Sequence, residues 1–385
     1  MKKIVSLITA AAVSVSLCGC VFDKYFGIDE TELEASASTA SVVSHTTKRY
    51  DIALITDSLG IKDSNTATVW RSIVSYGDTH TKTYKYYTAE NIENDAEKAV
   101  IQAIDNKAKI IVLPGAEYKR TVMSVQADYP EISFILVNTY PDSKLKDNVH
   151  CISYKEEQAG YIAGYLAISE GYTMLGFIGN SDDSANKLYA NGFITGADAA
   201  CEAFHVNDVT IKYSFLPKKT QNNEQTETSD EVDNIAIAQN VADRLYKRGI
   251  EAIFVCDPDT AKAVDVSAKN AGAKMICGGA VYDKYDTSLT SVCFDNVEAV
   301  DRIIKTCFDD SLKWSVSEGN TNIRLGAQDS CIDVLTEEND WKFTSVDKEA
   351  AEQLLNDLGS GAVKLSDSAD KVPVTKKAVY SYYEP

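Results

Sequence analysis

Short polar segments, each placed directly after an apolar run, are the residues of this chain best suited to chemistry. The apolar runs finish in the segments TDSLG, PGAEY, NTYPD, GNSDD, SFLPK, CDPDT and GGAVYD. These segments supply hydroxyls, amides, carboxylates and aromatic rings, which can hydrogen-bond to a small molecule or stack on it. Their composition favours recognition of a small ligand.

Signatures of catalysis are missing from the same segments and from the rest of the sequence. The chain has four histidines and contains no G-x-S-x-G, H-E-x-x-H or G-x-x-x-x-G-K-[ST] motif. Seven cysteines follow Cys20 without a C-x-x-C spacing, which argues against a zinc site or a redox pair. We therefore expect no enzyme, no cofactor and no metal site, while the sequence leaves open one disulfide among these cysteines.

Ten apolar runs predict the strands that position the polar segments. The runs span residues 51–56, 82–88, 109–115, 132–138, 149–154, 173–180, 209–215, 251–257, 274–279 and 289–296. Many are apolar without alternation, which is typical of strands buried on both faces. Helical stripes lie between them, as in Ile92, Ala96 and Val100. The alternation predicts an α/β protein with parallel sheets.

The number of strands and the length of the chain favour two lobes. Ten strands are more than one open sheet usually contains. The chain of 385 residues also exceeds the length at which a single hydrophobic core usually stops growing. In open α/β sheets the ligand binds at the carboxyl ends of the strands. Two such edges that face one another would enclose a cleft for a small molecule.

The N-terminus predicts export and attachment to a membrane. Lys2 and Lys3 precede the apolar run Ile4–Leu17, which is too short to span a bilayer. The run ends in LCGC, which resembles the lipobox of bacterial lipoproteins and implies acylation of Cys20. The alternative is a plain cleaved signal. Residues 27–48 are rich in Ser, Thr, Ala and Glu and are interpreted as a flexible stalk.

The charge balance limits the class of partner. The formal net charge is −19 at pH 7, which argues against nucleic acid and against binding to anionic lipid without an anchor. A small neutral or cationic ligand fits this balance better than a polyanion.

Several phrases in their order along the chain resemble the basic membrane protein family of ABC-importer lipoproteins, the purine-nucleoside-receptor type. The strongest are ADYPEISF and NVHCISYKEEQAGYIAGYLA, and the similarity extends from about residue 49 to 362. Within the second phrase, Gly160 and Gly164 permit close packing of a helix. The resemblance implies a type I periplasmic-binding-protein fold, in which two doubly wound parallel-sheet lobes are joined by three hinge crossovers.

The resemblance also implies an activity and a division of the chain. Such a receptor captures a nucleoside in the cleft between its lobes and hands it to an ABC permease outside the cytoplasm. The expected segments are a signal peptide (1–19), an acylated N-terminus and stalk (20–48), a first lobe (49–154 plus about 297–325), a second lobe (155–296 plus about 326–362) and a tail (363–385).

The family pattern implies a set of ligand-binding residues. They are Asp57, Ser58, Asp63, Ser64, Asn65, Gly115, Asn138, Phe215, Asp257 and Gly279. Structural alternatives exist for several: a helix N-cap for Asp63, Ser64, Asn65 and Asp257, a turn for Gly115, and the core for Phe215.

This chain departs from the family pattern at three places that bear on the ligand. The loop after the first strand lacks one residue and a phenylalanine, and Asn138 replaces an acidic residue. Where the family has a Gly-x-Asp phrase, this chain has Gly278 and Gly279, with Asp283 a few residues later. Two alternatives follow: a receptor for another ligand such as a sugar, or a sensor that presents its closed state to a membrane receptor.

Overall fold

The computed structural model describes residues 49–217, 234–279, 285–308 and 322–385. The predicted signal segment, Cys20 and the stalk lie outside these ranges, as does most of the polar stretch at 216–234. No helix within the described ranges is long and apolar enough to cross a membrane.

Thirteen strands and nine helices form the described part of the chain. The strands are β1 (Ile52–Thr56), β2 (Tyr84–Thr88), β3 (Ile110–Leu113), β4 (Ser133–Leu136), β5 (Val149–Tyr154), β6 (Met174–Gly179), β7 (Thr210–Phe215), β8 (Ala252–Val255), β9 (Lys274–Gly279), β10 (Ser288–Phe294), β11 (Asn322–Leu325), β12 (Ile332–Val334) and β13 (Val379–Tyr382). The helices are α1 (Ser64–His80), α2 (Ile92–Asp105), α3 (Lys119–Val125), α4 (Glu156–Glu170), α5 (Ser184–Phe204), α6 (Asn234–Lys247), α7 (Pro258–Ala271), α8 (Asn296–Phe308) and α9 (Lys348–Ser360).

The strands form two sheets. The first has the order β11-β5-β4-β3-β1-β2 and is parallel throughout, with Ile52 of β1 opposite Tyr84 of β2 and Ile110 of β3. The second has the order β12-β10-β9-β8-β6-β7-β13, in which only β12 runs antiparallel to its neighbour. All ten predicted strands are confirmed as β1 to β10, and β11, β12 and β13 were missed. Within the segment expected as a tail, β13 extends the second sheet.

The chain passes between the sheets three times. The passages are at Lys155 between β5 and α4, at Asp295 between β10 and α8, and at Gly326 between β11 and β12. The Lys155 amide donates to the Leu325 carbonyl at 2.9 Å, and the Asp295 amide donates to the Cys331 carbonyl at 3.0 Å. The three passages are therefore hydrogen-bonded to one another. This is the topology of type I periplasmic binding proteins.

Helices α4 and α5 pack with their backbones in contact. A Cβ atom built at Gly160 or Gly164 would meet the α5 backbone, and one built at Gly192 or Gly196 would meet the α4 backbone, all well inside the 3.0 Å that real Cβ atoms keep. The close packing expected of Gly160 and Gly164 is thus confirmed. Gly192 and Gly196 are its counterpart on α5.

Local signals in the sequence set the ends of the helices. The side chains of Asp63, Asn91, Asp183 and Asp257 each accept a hydrogen bond from the backbone amide three residues later, which caps α1, α2, α5 and α7. Gly171, Gly272 and Gly361 follow α4, α7 and α9 in the left-handed conformation that ends a helix.

Candidate functional site

The loop after β1 carries the first group of predicted site residues. The Asp57 carboxylate accepts from the Leu59 amide at 2.9 Å, and Ser58 is exposed. Asp63 accepts from the Thr66 amide at 2.7 Å, so its alternative role as an N-cap is confirmed. Ser64 is the first residue of α1, and its side chain lies outside the described part of the structure.

Asn65 connects this loop to two other parts of the molecule. Its amide donates to the Pro114 carbonyl at 3.1 Å, next to the predicted Gly115, and its oxygen accepts from Asn296 at 2.9 Å. Gly115 is extended, with φ −179° and ψ 164°, which other residues also adopt. A Cβ at Gly115 would meet the Glu117 carboxylate, the far end of a flexible side chain that can shift, so this contact alone does not require glycine.

Asn138 has a backbone reason for its residue type. Its φ is +53°, in the left-handed region that asparagine tolerates better than most side chains. It follows β4 at the carboxyl edge of the first sheet, and its side chain is half-buried. An amide at this position can both donate and accept.

Glu117, which was not among the predicted site residues, lies two positions after Gly115. Although part of its side chain is exposed, surrounding protein atoms desolvate the carboxyl and raise its pKa, and the charges of Asp57 and Asp63 raise the pKa further. The Asp57 and Asp63 carboxylates are therefore close enough to act on Glu117 at this edge. Glu117 lies in the quoted segment PGAEY, but nothing local indicates its neighbours.

The second sheet carries a connected polar group at its carboxyl edge. Asp257, which caps α7 through Thr260, also accepts from the Asn180 amide at 2.8 Å. Asn180 in turn accepts from Asn186 at 2.8 Å, and Asn186 belongs to the first turn of α5. The cap predicted for Asp257 is confirmed, while its contact with a ligand stays a prediction.

Gly279 ends β9 in the left-handed conformation, with φ +65°. A Cβ at this position would collide with the Tyr189 hydroxyl. Both the positive φ and this lack of space favour glycine here. Tyr189 is a further residue that the sequence analysis missed, because its position in an apolar helix face gives no sign of the strand end beside it.

Phe215 lies mainly in the core. Its ring is 9% exposed and contacts the rings of Phe177, Tyr213 and Tyr382, with centroids 6.1, 5.7 and 6.3 Å away. A role in ligand binding stays a prediction for Phe215.

A row of contacts joins the two edges through the passages between the sheets. Tyr189 stacks on Phe294 with centroids 6.1 Å apart, and Phe294 stacks on Tyr154 at 4.2 Å. The Tyr154 hydroxyl donates to Asn296 at 2.6 Å, and Asn296 donates to Asn65. The carboxyl edges of both sheets therefore lie at the same passages, where a ligand could contact both.

The chemistry of these edges is that of binding. The ten predicted residues include amides, carboxylates and hydroxyls but no lysine or arginine. Within the ranges that the structure describes, no group of three or more His, Cys, Asp or Glu side chains is placed to hold a metal ion. Among the described residues, Cys151, Cys201 and Cys256 carry free thiols.

A separate pocket of about 760 Å³ lies at the opposite edge of the first sheet. Its lining includes Ile110 and Ser133, which begin β3 and β4, together with Arg49, Lys107 and Lys109. Ligands of open α/β sheets bind at the carboxyl edge, so we place the candidate site there and not in this pocket.

Solved structures of solute-binding proteins share this fold. An ABC transporter solute-binding protein from Conexibacter woesei superposes with a TM-score of 0.59 at 14% identity, covering 82% of this chain and 98% of that one. One from Aeropyrum pernix gives a TM-score of 0.57 at 15% identity, with 83% and 94% covered. An arabinose-binding protein from Geobacillus stearothermophilus gives 0.55 at 10% identity, with 77% and 99% covered.

Sequence comparison identifies the family. The CD4+ T-cell-stimulating antigen of Listeria innocua is 23% identical over 277 residues, which are 70% of this chain and 68% of that protein. Basic membrane protein B of Borreliella burgdorferi is 23% identical over 248 residues, 63% of this chain and 66% of that protein. The family model described as "Bmp: ABC transporter substrate-binding protein PnrA-like" matches residues 51–364. The chain therefore belongs to the Bmp family of PnrA-like ABC transporter substrate-binding proteins.

Proposed function

We propose that this protein is a lipoprotein, anchored through Cys20 at the outer face of a membrane, that captures a nucleoside between two lobes and delivers it to an ABC permease. The observation that carries the proposal is the meeting of two polar strand edges at the passages between the sheets. Amides and carboxylates from both edges, including Asn138, Asn180, Asp63 and Asp257, can contact one ligand there.

The residue types at these edges favour a neutral ligand rich in hydroxyl groups. Carboxylates such as Asp57, Asp63 and Glu117 accept hydrogen bonds from ribose hydroxyls, and asparagine amides can bond either edge of a base. The same carboxylates would repel a phosphate. A nucleoside fits these groups better than a nucleotide does.

The mechanism that we propose is hinge closure of two lobes with the boundaries expected from the sequence, 49–154 plus about 297–325 and 155–296 plus about 326–362. A ligand that contacts both lobes only when they are closed shifts the equilibrium towards the closed state. A permease would recognise the closed outline. The strand β13, from the tail, moves with the second lobe in this scheme.

A thermal-shift screen of the purified chain from Thr47 to Pro385 tests the ligand class. Nucleosides, nucleobases, sugars and amino acids are compared, because a ligand that binds only the folded state raises the Tm, with about 2.7 kcal/mol gained at 100 times the Kd. We expect a rise with inosine, guanosine or adenosine. A rise with sugars or amino acids alone would retain the binding role and exclude the nucleoside, and no rise with any compound would contradict the proposal.

The substitution Asp63→Asn separates the cap from the ligand contact. Asparagine caps a helix about as well as aspartate, so stability should change by only a few tenths of a kcal/mol. We expect nucleoside affinity to fall about tenfold if the carboxylate accepts from a ribose hydroxyl, since bonds to charged acceptors contribute about 1.5–3 kcal/mol. Calorimetric titration measures the affinity, and an unchanged Kd would remove Asp63 from the site.

A further inference from the structure

The last twenty residues, Ser366–Pro385, are here named the C-terminal strap. They lie beyond the family match, which ends at residue 364, and the sequence analysis assigned them no role. Their strand β13 pairs in parallel with β7, with Val379 opposite Thr210 and Tyr382 opposite Tyr213. The strap is thus part of the second sheet and not an appendage.

A buried carboxylate in the middle of α5 holds the strap. Asp198 is 7% exposed, and its Oδ1 accepts from the backbone amides of Lys377 and Ala378, both at 2.8 Å. Its Oδ2 accepts from the Lys376 amide at 2.9 Å. A buried carboxylate is tolerated only when such donors satisfy it, so Asp198 is matched to these three amides.

Further contacts bind the strap on both sides of β7. The Asn191 amide, two turns before Asp198 in α5, donates to the carbonyls of Ala369 at 3.3 Å and Lys371 at 3.2 Å. Beside α6, the guanidinium groups of Arg244 and Arg248 lie 5.3 and 5.4 Å from the centre of the Tyr383 ring. The strap therefore links α5, β7 and α6.

The first turn of α5 leads directly to the candidate site. Asp183 accepts from the Asn186 amide at 2.9 Å, and the Asn186 side chain donates to Asn180 at 2.8 Å. Asn180 then donates to Asp257 at 2.8 Å. A shift of α5 would therefore move the Asn186 side chain relative to Asn180.

We propose that the C-terminal strap is a positioning element of the ligand site, in which Asp198 fixes α5 so that Asn186 holds Asn180 against Asp257. The statement about ligand affinity rests on the proposed function, whereas the statement about the position of α5 does not. Because the strap lies beyond the family match, the inference concerns a feature that the match does not cover.

The test is Asp198→Asn in the chain from Thr47 to Pro385, with Glu202→Gln as the matched control. The side-chain amide that Asp198→Asn introduces would place an N–H donor against the backbone amides of the strap. Glu202, by contrast, forms an exposed ion pair with Lys376, so its loss should have little effect. Hydrogen exchange is followed at residues 376–383 and in the first turn of α5. Affinity is measured for whichever compound the thermal-shift screen identifies.

In Asp198→Asn we expect at least tenfold faster exchange in both regions and an affinity about tenfold lower, with Glu202→Gln unchanged. Faster exchange in the strap alone, with the first turn of α5 and the affinity unchanged, would overturn the proposal. If the screen identifies no ligand, exchange at Asn186 still decides whether the strap positions α5. Should Asp198→Asn fail to fold, Asn191→Ala, which removes only two bonds to the strap, gives the same comparison.

Discussion

Replacing Gly164 or Gly196 by alanine should destabilise the protein by about 3 kcal/mol, the upper part of the range for overpacking in a well-packed interior. A Cβ at Gly164 would collide with the Phe193 carbonyl, and a Cβ at Gly196 would collide with the Tyr161 carbonyl. Both obstacles are helix backbone, which cannot swing aside as a side chain can. The two helices would have to separate, and their buried contacts would loosen along the whole interface.

The matched control for these variants is Gly359→Ala in α9. Its new Cβ would meet the Ala327 carbonyl at 3.4 Å, an ordinary contact, and alanine is favoured over glycine in a helix by about 0.5–1 kcal/mol. Urea unfolding should therefore show opposite signs for Gly359→Ala and Gly164→Ala. A Gly164→Ala variant as stable as the unaltered chain would contradict the close approach of α4 and α5.

The apolar runs and the small residues of this chain explain why its strands and helices could be predicted from sequence. A continuous apolar run such as that of β8 indicates a buried strand, and small residues at a helical spacing indicate close packing, although not the partner. The missed strands lack this signal: β11 contains Arg324, β12 has three residues, and β13 is an edge strand with exposed Val379. Arg324 is tolerated in β11 because it forms ion pairs with Glu156 and Glu157.

The hydrogen bonds of the candidate site are of two kinds: some join residues that are close in the sequence, and others join residues that are far apart. The caps formed by Asp63 and Asp257 could be predicted because their partners are three residues away. The bond between Asn180 and Asp257 spans 77 residues and that between Asn65 and Asn296 spans 231, and no local pattern encodes either. Glu117 and Tyr189 were missed for the same reason, since their roles depend on what the fold brings beside them.

Between pH 5 and pH 8 the protein should lose stability through one carboxylate at the passages between the sheets. Glu156 is 2% exposed, accepts from the Tyr140 hydroxyl at 2.6 Å and lies 3.2 Å from the Arg324 guanidinium. Arg324 also pairs with the neighbouring Glu157, so one guanidinium forms ion pairs with two buried carboxylates. Burial raises the pKa of Glu156 to about 7, more than Tyr140 and Arg324 lower it, and burial also raises the pKa of Glu157.

The sign of the effect follows from proton linkage. The ordinary pKa of the Glu156 carboxyl is 4.5, so between this value and about 7 the folded state binds more protons than the unfolded state. The contribution of the Glu156 carboxyl to the free energy of unfolding is fully present below pH 4.5 and is lost as the pH rises through 7. A shift of this size corresponds to a loss on the order of 3 kcal/mol.

The variant Glu156→Gln isolates the pH-dependent contribution of Glu156 to the free energy of unfolding, because glutamine keeps the size of the side chain and cannot ionise. Relative to the unaltered chain it should gain on the order of 3 kcal/mol between pH 5 and pH 8, measured by urea unfolding at constant ionic strength. Arg324→Met should act in the opposite direction and destabilise by about 3–5 kcal/mol at pH 8, because it removes the guanidinium that pairs with both buried carboxylates. That loss should shrink at pH 5, where protonation relieves the repulsion. Parallel pH profiles for Glu156→Gln and the unaltered chain would show that Glu156 is ionised throughout this range. The predicted loss of stability through ionisation of Glu156 would then be wrong.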